Sequence, residues 1–238
     1  MKFNKILPAM LALGCASASA SDLDSINALA QSQFRSLAEN LGAATVYKAV
    51  SPAEPLGVLG FDASLSVSAT EIDEQVFEIA NGAADWNMSM LPLPRLQLQK
   101  GLPFNIDIGA SYTAVPEISA NLIGAEVKWA FIGGGVATPA VAARLSYSKL
   151  SGIDELDVKN TAVDVSISKG FVMLTPYAGV GLVRSESTPR NVAGLTAETV
   201  NDTRLFAGLN INFGINLGLE VDTFAGLTSY TAKVGLRF

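Results

Sequence analysis

From Gly57 to Phe238 the apolar side chains recur at every second position, and beyond residue 20 no run approaches the length of a membrane-crossing helix. In FDASLSVSAT, Phe61, Ala63, Leu65, Val67 and Ala69 share one parity, and Asp62, Ser64, Ser66, Ser68 and Thr70 share the other. Successive side chains of a strand point to opposite faces, so a sustained period of two predicts strands with one apolar and one polar face. Similar alternations recur at about 88–99, 104–114, 120–131, 136–148, 157–169, 171–183, 203–213, 215–223 and 228–238, making ten in all. Hydrophobic residues are 49% of the chain. Strands that turn one face to lipid and the other to a polar bore account for such a content without long apolar runs. The expected fold is all-β: a transmembrane antiparallel up-and-down barrel of about ten strands, preceded by an amphipathic helix.

Connection lengths agree with a barrel that has one end of short turns and one of longer loops. QKGLP at 99–103, IGGG at 132–135, KG at 169–170 and a turn around Gly214 are short. The alternate set holds 71–86, VPEIS at 115–119, KLSGIDEL at 149–156, 184–202 and a brief turn at 224–227. Three of these five are expected to be long. Two strands are less regular: the second carries Pro92 and Pro94, which cannot donate to a ladder, and the seventh alternates in either parity, with Ala178, Val180 and Leu182 assigned to lipid.

Residues 1–20 read as a secretory signal peptide: Lys2 and Lys5, the short apolar stretch Ile6 to Leu13, and ASA before Ser21. The sole cysteine, Cys15, lies inside it, and its context is a poor lipoprotein site. Removing Lys2 and Lys5 from 16 basic residues leaves 14 against 22 acids, a formal charge of −8. Such a balance argues against nucleic acid as a partner, since that affinity comes from neutralised phosphates.

Residues 21–56 form an N-terminal unit ahead of the barrel at 57–238. Leu23, Ile26, Ala30, Phe34, Leu37 and Leu41 recur at helical spacing, so one helix is expected over 22–42, with Ser21, Asp22 and Asp24 at its start and Gly42 at its stop. A β-like stretch, ATVYKAV at 44–50, and the proline-bearing SPAEP follow. Ten strands return both termini to the periplasmic side, so the helix is expected either to pack under the barrel mouth there or to enter the lumen as a plug.

Parity places twelve charged residues inside: Asp62, Asp107, Glu126, Asp164, Glu220 and Asp222 against Arg95, Lys128, Arg144, Arg204, Lys233 and Arg237. Equal numbers of each sign favour a paired, side-chain-filled interior over a wide pore selective for one ion sign. Gly109, Gly124, Gly179, Gly181, Gly208, Gly218 and Gly235 share that parity. They make room for long cationic arms, for a narrow channel, or for the helix. Ten strands sit near the closed end of the range of barrel sizes.

The chain contains no histidine. This removes the side chain best placed for general-base work near neutral pH, and with it Ser/His/Asp and Cys/His constellations. Glu220 and Asp222 remain a formal carboxylate pair, but they are more simply lumen charges. No metal site and no cofactor are expected, because neither His nor a mature Cys is present. The acids Glu71, Asp73, Glu74 and Glu78, and Asp154, Glu155 and Asp157, read as solvated loop faces, with a divalent bridge to lipopolysaccharide as the sharper alternative. IGGGV at 132–136 lacks the lysine of a phosphate loop and reads as a turn.

YKAVSPAEPLGVLGFD at 47–62, KGLPFNIDIGA at 100–110, KLSGIDELD at 149–157, SISKGF and TPYAGVG over 166–181, and SYTAKVGLRF at 229–238 carry a resemblance. Together they resemble a family of Gram-negative outer-membrane proteins catalogued as a domain of unknown function. The resemblance implies a barrel in the outer membrane, with no catalytic residue to carry over. The final decapeptide, with Tyr230 and the terminal Phe238, is similar to the C-terminal signal read by the barrel-assembly machinery. The expected partners are that machinery, outer-membrane lipid and lipopolysaccharide. The expected role is non-enzymatic, structural or small-ligand-binding, with a gated narrow channel and a surface adhesin as alternatives.

Overall fold

A computed structural model describes residues 25–81, 89–115 and 120–238. The expected signal peptide, the expected helix start at Ser21 to Asp24, and most of VPEIS lie outside these residues. Ten antiparallel strands form the wall: β1 (Phe61–Glu71), β2 (Met90–Leu102), β3 (Ile106–Val115), β4 (Ala120–Gly133), β5 (Ala140–Ile153), β6 (Leu156–Ser168), β7 (Leu174–Pro189), β8 (Glu198–Asn212), β9 (Asn216–Phe224) and β10 (Leu227–Arg237). Each pairs with its sequence neighbour, and β1 pairs with β10 from Asp62↔Arg237 to Thr70↔Ser229, so the barrel is closed and has no free edge.

The parity read from the sequence is the parity of the wall. Leu65, Leu98, Val127, Leu145, Val163 and Leu219 face outward, while Ser64, Ser66, Gln97, Ser146 and Asn210 are buried inside. In β7, Val180 and Leu182 face out and Tyr177 and Val183 face in. The outer wall is banded. Phe61, Phe104, Trp129, Phe131, Phe171, Phe213 and Phe238 lie exposed at the short-turn mouth, and Tyr112, Tyr147 and Tyr230 lie toward the other. Along β10, Tyr230 to Phe238 is about 27 Å of strand, or about 20 Å of height at a tilt of ~40°. Phe238 is tied into this belt by reciprocal backbone bonds with Phe61 (2.9 and 3.1 Å).

Several expectations are corrected. KLSGIDEL is no long loop: β5 and β6 run to Ile153 and Leu156 and leave only Asp154 and Glu155 between them. Gly152, with φ of 101°, absorbs the irregularity where the register shifts between Leu150 and Ile153. The 184–202 loop shrinks to 190–197 for the same reason, since β7 and β8 continue as a paired arm above the apolar band. The 71–86 loop contains a helix, α2 (Glu74–Asn81). β2 is regular through both prolines, which pair with Ala69 and Val67 of β1. Their missing N–H groups cost nothing because β3 joins β2 only from Leu96 onward.

The N-terminal helix, α1, spans Gln31–Thr45, shifted from the expected 22–42. Residues 26–28 form a separate 3-10 turn, and the Gln33 side chain accepts from the Ala30 N–H (2.9 Å) at the start of α1. Gly42 does not stop the helix. A Cβ there would strike Ser185, so Gly42 serves close approach to the wall, and the helix continues through Ala43, Ala44 and Thr45.

Candidate functional site

The bore is occupied by the chain that precedes it. α1 packs inside the barrel against β5 to β8, β1 and β10. Its apolar face, with Phe34, Leu37 and Leu41, joins Leu122, Leu150, Leu156 and Val158 of the inner wall in one buried cluster, capped by Val76 and Phe77 of α2. Beyond Thr45 the chain runs without helix or strand, turning at Val50 (φ 46°), down the rest of the bore to Leu56 and then into β1. The entrance to this path is at the long-loop mouth. Ser25 N–H donates to Ala80 O (3.1 Å), Gln31 exchanges hydrogen bonds with the Thr196 backbone, and Asp73 N–H donates to Asn40 Oδ1 (2.7 Å). Thus the helix starts at the end opposite the one where the sequence placed both termini.

A segment without helix or strand has no internal partners for its peptide groups, and buried ones must find them elsewhere. Here wall side chains supply them in successive layers. Arg95 donates to Ala44 O (2.8 Å) and Val46 O (3.0 Å), which also neutralises the carbonyl end of α1. Arg204 donates to Tyr47 O (3.1 Å), and Gln97 to Lys48 O. Arg144 reaches Ser51 Oγ at 3.2 Å. Lys128 donates to Pro52 O (2.9 Å) and Glu54 O (3.0 Å), Ser168 Oγ accepts from Glu54 N–H (3.2 Å), and Asp107 accepts from Leu56 N–H (3.1 Å).

The twelve charges read from the sequence all lie on the inner parity, and most are drawn together. Lys128 pairs with Asp107 (3.0 Å), Lys233 with Asp62 (3.0 Å), and Arg144 with Glu126 (2.8 Å). Arg204 bridges Glu220 (2.9 Å) and Asp222 (3.1 Å) while lying over the Phe206 ring. Three members stand apart. Arg95 is spent on the Ala44 and Val46 carbonyls, Asp164 meets Arg144 only at 3.9 Å, and Arg237 Nη1 is buried without a hydrogen-bond partner among the described residues.

Sequence reasoning missed Lys48. This fully buried side chain of the threaded segment places Nζ 2.8 Å from both oxygens of Asp222. A lone charged residue in ATVYKAV was the available signal, and the luminal glycines were its complement. Gly124 leaves room for the Tyr47 ring and Gly218 for Val50. Other glycines have wall neighbours instead: Gly208 faces Tyr177 and Gly109 faces Glu126.

The formal carboxylate pair is fully engaged. Glu220 accepts from Tyr177 OH (2.9 Å) and Arg204, and Asp222 from Lys48 and Arg204. Two of the loop acids are similarly used: Asp73 accepts from Ser36 (3.4 Å) and Gln75 N–H (3.1 Å), and Asp157 pairs with Arg190. Among the described residues no group of three or more acids, His or Cys is placed to hold a metal ion.

A closed antiparallel barrel with an apolar, aromatic-banded outer wall and a polar bore filled by its own N-terminal segment is the class of protein that this geometry defines. The chain belongs to DUF6588, a family of unknown function, whose model matches residues 56–237, the barrel without the threaded segment. No curated protein matches the chain. Among solved structures, the N-terminal β-barrel domain of Pseudomonas aeruginosa OprF is 18% identical, with 74% of this chain and 97% of that one covered and a TM-score of 0.36. The KdgM porin is 11% identical (74% and 99% covered, TM-score 0.36). Ail, the attachment invasion locus protein of Yersinia pestis, is 10% identical (75% and 98% covered, TM-score 0.31).

Proposed function

We propose that the protein is a non-enzymatic, self-plugged barrel of the Gram-negative outer membrane, closed at rest, with a structural or small-ligand-binding role in the envelope. One observation carries the membrane assignment: the exposed aliphatic belt is closed around the whole wall and bounded by Phe and Trp at one mouth and Tyr toward the other. A water-facing surface does not sustain an apolar zone of that extent, whereas the hydrocarbon band of a bilayer requires it, with aromatic girdles at its interfaces. Tyr230 and Phe238 stand on this belt, where the assembly machinery could read them as the C-terminal signal.

The filled bore supports the closed state, and the full engagement of Glu220 and Asp222 takes that pair out of hydrolytic use. A second reading has its own support. Apart from the Ser25–Ala80 backbone bond, the threaded segment is held by side chains and, among the described residues, shares no ladder with the wall, so it could leave without breaking the barrel, as the gate of a narrow conduit would.

Spin labels at Leu65 and Val234 should report acyl chains; water at both positions overturns the membrane assignment. Planar-bilayer recording of the full chain and of a chain lacking residues 25–50 then separates the two roles. Steps that appear only on deletion establish the gate, and silence in both retains the closed structural barrel.

A further inference from the structure

The threaded path fixes a direction. From Ser25 to Leu56 the chain passes once through the barrel, beginning against Ala80 and Thr196 at the long-loop mouth and ending against Asp107 and Ser168 at the short-turn mouth, where β1 starts. α1 alone accounts for about 22 Å of that passage at 1.5 Å per residue. Its beginning is anchored at four points to the loops that close this mouth: Ser25 to Ala80, Gln31 to Thr196 and Glu198, Arg35 to Glu198 (3.3 Å), and Asn40 to Asp73. The side chains of Asn27, Ala28, Ala30, Ser32 and Arg35 are nevertheless exposed there.

In outer-membrane barrels the longer loops face outward and the short turns face the periplasm. We infer that the segment around residues 25–35 is displayed on the cell surface, so that the chain crosses the outer membrane eleven times: once through its own bore and ten times in the wall. The inference rests on the outer-membrane reading. It reverses the side on which a segment following a cleaved signal is expected. It also requires α1 to be carried outward while the barrel closes around it, because its contacts with β5 to β8, β1 and β10 surround it. The outward mouth is then a composite surface of the start of α1, α2 and the 190–197 loop.

Site-directed cysteine labelling tests this, since Cys15 is the only native thiol. In a Cys15→Ser background, Asn27→Cys, Asp154→Cys and Val136→Cys are introduced singly, all at exposed positions. Each is treated on intact cells with a membrane-impermeant maleimide, and again after permeabilisation, with heat-modifiable gel migration confirming the folded barrel. Ser32→Cys repeats the measurement should Asn27→Cys fail to assemble. The expected result is that Asn27→Cys and Asp154→Cys label fully on intact cells, while Val136→Cys, at the opposite mouth, labels only on permeabilisation. If Asp154→Cys labels on intact cells but Asn27→Cys and Ser32→Cys wait for permeabilisation, the surface display is overturned and the outer-membrane reading survives. If Val136→Cys alone labels on intact cells, the barrel is inverted and the surface display falls while the outer-membrane reading survives; if none of the positions labels until permeabilisation, both fall.

Discussion

The two halves of the bore solve the same problem with opposite chemistry. Toward the long-loop mouth the occupant is a helix and the wall is apolar on one side, where Leu122, Leu150, Leu156 and Val158 meet Phe34, Leu37 and Leu41, and small hydroxyl residues such as Ser68, Thr70, Ser185 and Ser229 complete it. Toward the short turns the occupant is irregular chain and the wall is charged, with Arg95, Lys128 and Asp107 on its peptide groups and Arg144 on the Ser51 hydroxyl. A helix satisfies its own backbone hydrogen bonds and asks only for apolar contact, whereas irregular chain inside a bore has no neighbour to ladder with. Wall polarity therefore changes where the occupant changes, at Thr45, whose carbonyl and hydroxyl are met by Ser148 (2.7 Å) and Asn160 (2.9 Å). The charges of the lower bore serve the backbone of the plug as much as they serve one another.

Three substitutions would break or sharpen that contrast. Arg204→Ala should have the largest effect, about 3–5 kcal/mol, because it strips a partner from buried Glu220 and Asp222 and the donor from Tyr47 O. Urea titration of the folded fraction in detergent measures it, and a loss below about 1 kcal/mol would mean that water already reaches this layer. Leu37→Ala, in the apolar half, should cost about 2–4 kcal/mol of plug stability through the cavity it leaves. Its signature is different: proteolysis should increase within α1 while the wall strands stay protected, so equal exposure of both would show that plug and wall unfold as one unit. The smallest effect belongs to Arg35→Ala, which removes an exposed pair with Glu39 and Glu198 and should change stability by less than about 1 kcal/mol. Raising the salt should reduce even that difference, yet leave the Arg204→Ala penalty in place, since the latter pair is shielded from ions.

How far the sequence could be read follows from the range of each signal. Alternation is a property of neighbours two apart, so the ten strands, the lipid face and the inward parity of twelve charged residues could be found without tertiary information. Strand lengths at the long-loop mouth could not: Arg184 and Glu186 lie exposed on a polar arm of β7, where no apolar face announces pairing, yet the ladder to β8 continues through both. Gly42 carried the signature of a helix stop and proved to be a contact with Ser185 and Phe224. The irregular Val46 to Leu56 gave no sign of its partners, because those partners are spread over different strands and come together only in a closed ring.

The order of residues alone thus determined a wall: what faces hydrocarbon, what faces inward, and that both signs of charge would be present inside. Only the tertiary structure decided what fills the wall and from which end, since closure brings Asp222, Gln97 and Arg204 to one depth around Lys48. Side-chain period is set by local backbone geometry, but the peptide groups of a threaded segment take whatever donors the finished barrel presents.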